Sequence, residues 1–330
     1  MRIALIHNHQ LLLPRELSGE SIAELSVADT ATAVTAMLSE LGHQVEVVPL
    51  SPDESITGRR ELSDAGFVFN LFEGFAGRPE TEAAVARALE NTGLPFTGCP
   101  ASSLALTLDK PATHLVLGYA GLATPRFQLL DPADTADFDL DFPCIVKPPA
   151  DDASHALSPE SVAAGREELA IALNRIAKRY PDSPALVEEF LNGREFNVTV
   201  LGNNSPRLLA VSEIIYTLPT GCPRLLTFAA KWSPDSAYYR HTAVRCPAVL
   251  DNSLAAELEH AALTAFRATG CRGYARMDFR LNAAGRPVIL EVNANPDLSP
   301  EAGVARQAEA AGMTYRELID AIVKLALEAT

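Results

Sequence analysis

The sequence predicts an α/β amino-terminal part followed by an α+β carboxyl-terminal part. Three observations predict this. Short branched apolar runs alternate with helical spacings over the first hundred residues, the pattern of an open parallel sheet. Beyond Ala185 several strand-like runs follow one another before the next helical stretch. Near the end, GYARMDFRLNAAGRPVILEVNANP (Gly273 to Pro296) contains two period-two runs around Asn282–Pro287. Gly285 is available there for a positive φ, so the two runs read as a hairpin.

Taken in order, Met1–His7 is apolar and branched and reads as a first buried strand. Ile22–Leu41 has helical spacing and ends at Gly42. Val45–Pro49 and Phe67–Leu71 are further strands, and Glu82–Asn91 is a helix stopped by Gly93. A helical stretch contains Asp109-Lys110, and Leu122–Phe127 turns into a strand. Phe142–Pro149 is a short strand carrying Lys147, and residues 158–180 are helical. Strands are expected at Ala185–Phe190, Glu195–Gly202 and Pro206–Ile215, then an irregular stretch from Gly221 to Tyr239. Leu254–Thr269 is a helix, the hairpin follows, and Thr314–Leu327 is an amphipathic closing helix with Glu317 three residues after its capping threonine.

The chain has 330 residues, is 48% hydrophobic and carries a net charge of −15. That charge repels phosphate backbones and anionic lipids, which argues against nucleic-acid and membrane partners. It does not exclude a nucleotide, because a local basic pocket decides that. Five scattered cysteines without C-x-x-C spacing read as reduced thiols, which places the protein in the cytoplasm. Nothing follows the first strand in the G-x-G-x-x-G pattern of dinucleotide folds. His7 and His9 sit where that strand ends, either touching a ligand or standing idle in a loop.

In the hairpin, Arg276 and Asp278 share a face, as do Glu291 and Asn293. The register can bring all four together. Two carboxylates that close repel unless a cation lies between them. Hard oxygens in such a set suit Mg²⁺ (or Mn²⁺), which keeps waters and holds substrate phosphates. Arg276 is then placed to neutralise developing negative charge. The alternative is a polar, solvent-facing side of an edge hairpin. Lys147, within an apolar strand, needs an anionic partner such as a nucleotide phosphate, or snorkels to the surface. Ala150–Leu157 is small and polar, suited to closing over a bound nucleotide. Lys231-Trp232 lies in the irregular stretch.

The order of DK, a strand-borne VKP, VEEFLNGREF, a loop lysine, R-x-D and E-x-N-x-x-P resembles the ATP-grasp fold, and within it the D-alanine–D-alanine ligases, from about Phe67 to Leu327. The resemblance implies an amino-terminal substrate domain (1–104), a central subdomain (105–190) with a lid at 150–157, and a carboxyl-terminal subdomain (191–330). It implies ATP and Mg²⁺ as cofactors, small carboxylate and amine substrates, and a homodimer. By position, Lys110 and Lys147 match lysines that contact ATP. Glu188, Glu189, Phe190 and Leu191 match the segment that holds adenine largely by backbone, and Glu195 the residue that takes the ribose hydroxyls. Lys231 matches the lysine over the phosphates. Asp278, Glu291 and Asn293 match the metal ligands, and Arg276 the arginine at the reacting centre.

The chain departs from that family in the acceptor segment. The ligases carry N-T-x-P-G-M-T and then a serine; here Asn293–Ala302 reads NANPDLSPEA. Asp297 replaces a glycine, and Ala302 falls about where the serine belongs. DDAS (Asp151–Ser154) replaces E-G-S-S. The amino-terminal substrate loop is missing, with Glu20 and Glu24 as remote counterparts. Asp297 and Glu301, together with Ser299 and His155, are therefore expected to meet the substrates, and the added negative charge disfavours D-alanine as acceptor. Three readings stay open: a carboxylate–amine ligase with another substrate pair, a D-alanine–D-alanine ligase, and a non-catalytic nucleotide-binding regulator.

Overall fold

The first apolar run forms β1 (Arg2–Asn8), buried from Ile3 onward because it is paired on both sides. α1 (Gly19–Glu40), β2 (Gln44–Leu50), α2 (Arg60–Ser63), β3 (Phe67–Leu71) and α3 (Glu80–Thr92) follow. The computed structural model describes residues 1–9, 19–52, 56, 58–75, 77–150, 157–181 and 183–328. The three strands are parallel, in the order β2-β1-β3. α3 stops where Gly93 takes a left-handed φ of 71°, as its position after the helical run predicts.

The helical stretch around Asp109-Lys110 is two helices, α4 (Ala101–Leu108) and α5 (Lys110–Tyr119). Asp109 divides them: its extended backbone ends α4, and its carboxylate caps α5 by accepting the Ala112 amide at 2.9 Å. β4 (Phe127–Leu130), β5 (Cys144–Lys147), β6 (Val162–Ala163), α6 (Arg166–Arg179) and β7 (Ala185–Glu189) then build an antiparallel sheet in the order β4-β7-β5-β6. The expected helix over 158–180 starts late. Pro159–Ser161 is a 3₁₀ turn, and Gly165, extended at φ −165°, precedes α6. The Ser158 and Ser161 hydroxyls accept from Arg175, each at 2.6 Å, which fixes that turn against α6.

The remaining elements are β8 (Glu195–Gly202), β9 (Arg207–Tyr216), α7 (Phe228–Trp232), α8 (Ala237–Arg240), β10 (Thr242–Arg245), α9 (Asn252–Ala268), β11 (Gly273–Leu281), β12 (Pro287–Asn293), α10 (Gly303–Ala310) and α11 (Tyr315–Glu328). The stretch expected to be irregular holds α7 and α8, capped by the Thr227 and Ser236 side chains. β10 and α10 are not foreseen from the sequence. The five strands are antiparallel, in the order β10-β9-β8-β11-β12.

The hairpin forms, with Gly285 at φ +75° and the Asn282 carboxamide oxygen accepting the Ala284 and Arg286 amides at 3.0 Å. Two features differ from the sequence reading. β11 lies inside the sheet, between β8 and β12, so Tyr274, Asp278 and Arg280 are buried along with Ala275, Met277 and Phe279. The pairing also slips: Asp278 faces Glu291, but Phe279 faces Ile289, so Leu290 is an extra residue on β12. The bulge re-phases the strand. Ile289, which strict alternation groups with Glu291, instead joins Phe279, Met277 and Val292 in the core.

β1 feeds two cores. Ala4 and Ile6 pack with α3, α4, α9 and the apolar side of β8 and β11. Ile3 and Leu5 pack with Val34 and Leu38 of α1 and with Leu318, Ile319 and Ile322 of α11. A sheet covered on both faces needs apolar residues at every position, which is why its strands do not alternate. A third core lies between the central sheet and α6. Among the described residues no helix is long and apolar enough to cross a membrane.

Candidate active site

The polar side chains of β8, β11 and β12 gather on one face of the five-stranded sheet. Arg276 donates through Nε to Asp278 Oδ1 at 2.7 Å and through a terminal nitrogen to Oδ2 at 2.8 Å. Asn293 lies opposite Arg276, and Glu291 opposite Asp278. The Asn293 amide reaches Asp278 at 3.2 Å and Glu291 at 3.3 Å. The structure thus brings the four residues into one nest. Asn197, across on β8, donates to Asp278 Oδ1 at 2.7 Å.

Charges set the proton affinities of this nest. Burial pushes the Glu291 carboxyl up, but Lys110, Lys147 and Arg276 outweigh it and hold the group at about 2. Asp278 moves the other way: burial and the Glu291 charge raise it against the pull of Arg276. Burial disfavours the Arg276 cation, yet its bidentate pair with Asp278 and the charges of Glu291 and Asp297 raise its pKa. Lys231, on α7, is lowered by burial and then by Arg276. Three lysines from α5, β5 and α7 therefore converge on one carboxylate pair.

Glu188 is 1% exposed and points at Lys147, 2.6 Å away, and at His114 Nε2, 2.8 Å away. A carboxylate only accepts, so Nε2 carries the hydrogen. Burial raises the Glu188 carboxyl, but the Lys147 charge and the His114 bond hold it at about 2. The Glu188 side chain thus braces Lys147. The Glu189 carboxylate accepts the Arg126 amide at 3.1 Å, and the Phe190 amide donates to the Pro143 carbonyl at 3.0 Å. Glu195 is buried, bonded by Arg280 and, at 2.8 Å, by the Tyr216 hydroxyl. The connection 191–194 runs against β11 so closely that a Cβ on Gly193 would overlap the Leu281 carbonyl.

The family profile described as D-ala D-ala ligase C-terminus matches residues 116–324. The chain belongs to the D-alanine–D-alanine ligase family. It is an ATP-dependent carbon–nitrogen ligase of the ATP-grasp fold. It is 35% identical to the D-alanine–D-alanine ligase of Bordetella petrii over 81% of this chain and 79% of that one. It is 33% identical to the uncharacterized protein y4sG of Sinorhizobium fredii, over 90% and 87%. In fold it is similar to the D-alanine–D-alanine ligase of Bacillus anthracis complexed with ATP, with a TM-score of 0.74, 22% identity and coverage of 100% and 98%.

Within this ligase the acceptor segment is a tight turn. Asp297 accepts the Ser299 amide at 2.7 Å and the Ser299 hydroxyl at 3.0 Å. The two side chains therefore engage each other, and the Asp297 charge reaches Arg276. Glu301 is exposed, with its carbonyl accepting from Arg306 at 2.7 Å. His155 and most of the 150–157 segment lie outside the described residues. Asn295 ties the turn to the residue after β3 and to α3, donating to the Phe72 carbonyl at 3.0 Å and to Glu82 at 2.7 Å.

Several residues of the site escape sequence reasoning. Asn197 is signalled only as a lone amide in an apolar strand, and Arg280 only as the third polar residue of the period that carries Arg276 and Asp278. Gln307, fully buried on α10, gave no signal. Its carboxamide accepts the Thr199 amide at 2.8 Å and donates to the Asn197 carbonyl and the Ser212 hydroxyl, each at 3.1 Å. It fills the irregularity between Val198 and Val200 in the pairing of β8 with β9 and so fixes the backbone that carries Asn197.

Proposed function

We propose that this ligase joins a small amino-acid-like carboxylate to an amine through an acyl phosphate, and that its pair is not D-alanine with D-alanine. The nest of Arg276, Asp278, Glu291 and Asn293 under Lys110, Lys147 and Lys231 supports the chemistry. A substrate carboxylate oxygen attacks the γ-phosphorus of ATP and ADP leaves. An amine nitrogen then attacks the acyl carbon, phosphate leaves, and the nitrogen gives up its proton. No protein nucleophile is needed; positioning and charge neutralisation suffice. The lysines meet the phosphates, and Arg276 meets the oxyanion of the tetrahedral intermediate. A lid role for 150–157 and a substrate contact for His155 belong to the same proposal.

The donor set fits a divalent ion. Asp278 Oδ2 and Glu291 Oε1 both lie within 3.3 Å of the Asn293 amide nitrogen, so a half-turn of that amide presents three hard oxygens to one point. Two carboxylates and an amide form the kind of partial site that magnesium shares with phosphate and water. When bound there, Mg²⁺ or Mn²⁺ supplies charge neutralisation at the phosphate oxygens.

The turn at Asp297–Ser299 supports the altered acceptor. The Asp297 carboxylate would repel the carboxylate of a D-alanine acceptor, and its negative charge partly offsets the Arg276 cation. That favours an amine-bearing acceptor without a second acid group at this point. The divisions at 104 and 190, the homodimer and the cytoplasmic location belong to the same proposal, and light scattering tests the dimer. The sequence relation to a D-alanine–D-alanine ligase favours a second reading, D-alanine on both sides. Phosphate release across a panel of amino acids and amines decides between them. Turnover with D-alanine alone refutes the altered pair, and tight ATP binding with no active pair refutes the ligase. Asn293→Ala is expected to cut turnover far more than ADP affinity.

A further inference from the structure

The polar face of β11 continues past the nest to Arg280, which the reaction described above does not use. Arg280 is 3% exposed. One terminal nitrogen donates to the Leu191 carbonyl at 2.7 Å, and the other to Glu195 Oε2. The same oxygen accepts from the Tyr216 hydroxyl at 2.8 Å. The guanidinium lies over the Phe190 ring at 5.5 Å and the Tyr216 ring at 5.8 Å. Its Nε, buried, finds no acceptor among the described residues.

A buried cation of this kind carries a desolvation cost, which an unpaired N–H increases. The partners it does have define a geometry. Two donors on Oε2 fix the plane of the Glu195 carboxylate and leave Oε1 with no donor of its own among the described residues. The hold on Leu191, with Gly193 pressed against Leu281, fixes the connection leading to that carboxylate. A diol approaching Glu195 meets an acceptor of set direction. A sugar lacking one hydroxyl forfeits part of that match.

We propose that Arg280 is a positioning residue for the ribose, aligning Glu195 so that the site selects a ribonucleoside triphosphate over its 2′-deoxy counterpart. The proposal rests on reading this cleft as the ATP site and adds the group that tunes it. The test measures KM and kcat for ATP and dATP, with ADP binding by calorimetry, in the wild type, Arg280→Met, Arg280→Lys and Tyr216→Phe. Wild type is expected to prefer ATP by about tenfold or more in kcat/KM. Arg280→Met is expected to bring that ratio toward one, with the loss carried by the KM for ATP more than by kcat. A brace with no role at the sugar would lower Tm and weaken both nucleotides alike, leaving the ratio unchanged; that result overturns the proposal. So does a wild type that uses both nucleotides equally. Where Arg280→Met does not fold, an unchanged ratio in both Arg280→Lys and Tyr216→Phe overturns it. A wild type that binds neither ADP nor ATP refutes the ATP-site reading itself, and the role of Arg280 with it.

Discussion

Replacing Glu188 by glutamine keeps its shape and removes one buried charge. The carboxylate is 1% exposed, 2.6 Å from the Lys147 ammonium and 2.8 Å from His114 Nε2. Its pKa is held at about 2, against an ordinary 4.5. That gap corresponds to about 3 kcal/mol of folding free energy. Because the folded value is depressed, the contribution is complete above pH 4.5 and is lost as pH falls from there toward 2. Glu188→Gln is therefore expected to destabilise the central sheet by about 3 kcal/mol at pH 7, by leaving Lys147 without its closest counter-charge. At roughly 2–4 °C per kcal/mol this is a drop of about 6–12 °C in the transition that melts that sheet. Calorimetry at pH 7 and pH 3 measures it, and the difference should shrink to less than half at the lower pH. A drop within about 2 °C at pH 7, or one equally large at pH 3, refutes the reasoning.

Three further outcomes follow from the site. Gln307→Leu strands the Thr199 amide and the Asn197 carbonyl, and should cost about 3 kcal/mol in urea denaturation; a loss below about 1 kcal/mol shows that the strand irregularity closes without it. Asn197→Leu removes a charge-assisted bond to Asp278, and should raise the Mg²⁺ concentration for half-maximal turnover by about tenfold; an unchanged magnesium titration contradicts this. Gly193→Ala forces the 191–194 connection away from Leu281, and should weaken ADP binding by about tenfold in calorimetry; wild-type affinity shows that the backbone yields freely there.

The parts of the site that were legible share a property: they repeat at a period or sit in a spaced motif. Arg276 and Asp278 alternate along one strand, and Glu291 and Asn293 along the next, so their meeting is legible in the sequence. The bulge at Leu290 is not, because period-two reasoning has no term for an inserted residue, and strict alternation groups the buried Ile289 with Glu291. Asn197, His114 and Gln307 come from three distant segments and act on backbone or on a single partner. Each looks alone like an ordinary polar residue. α10 is hidden because its Gly303 start follows a proline-containing turn, and its inward face is one valine, two alanines and one glutamine rather than a bold apolar stripe. Tertiary burial, not local propensity, makes it a helix.

Ile3 and Leu5 share their core with Leu318, Ile319 and Ile322. β1 (Arg2–Asn8) thus waits for α11 (Tyr315–Glu328), at the far end of the sequence order, before one of its faces is covered. Such distant pairing carries a large loop-closure entropy and slows assembly. During translation that face stays open to other nascent chains, and polypeptides released before residue 315 are expected to be targets for chaperones and proteases rather than working fragments.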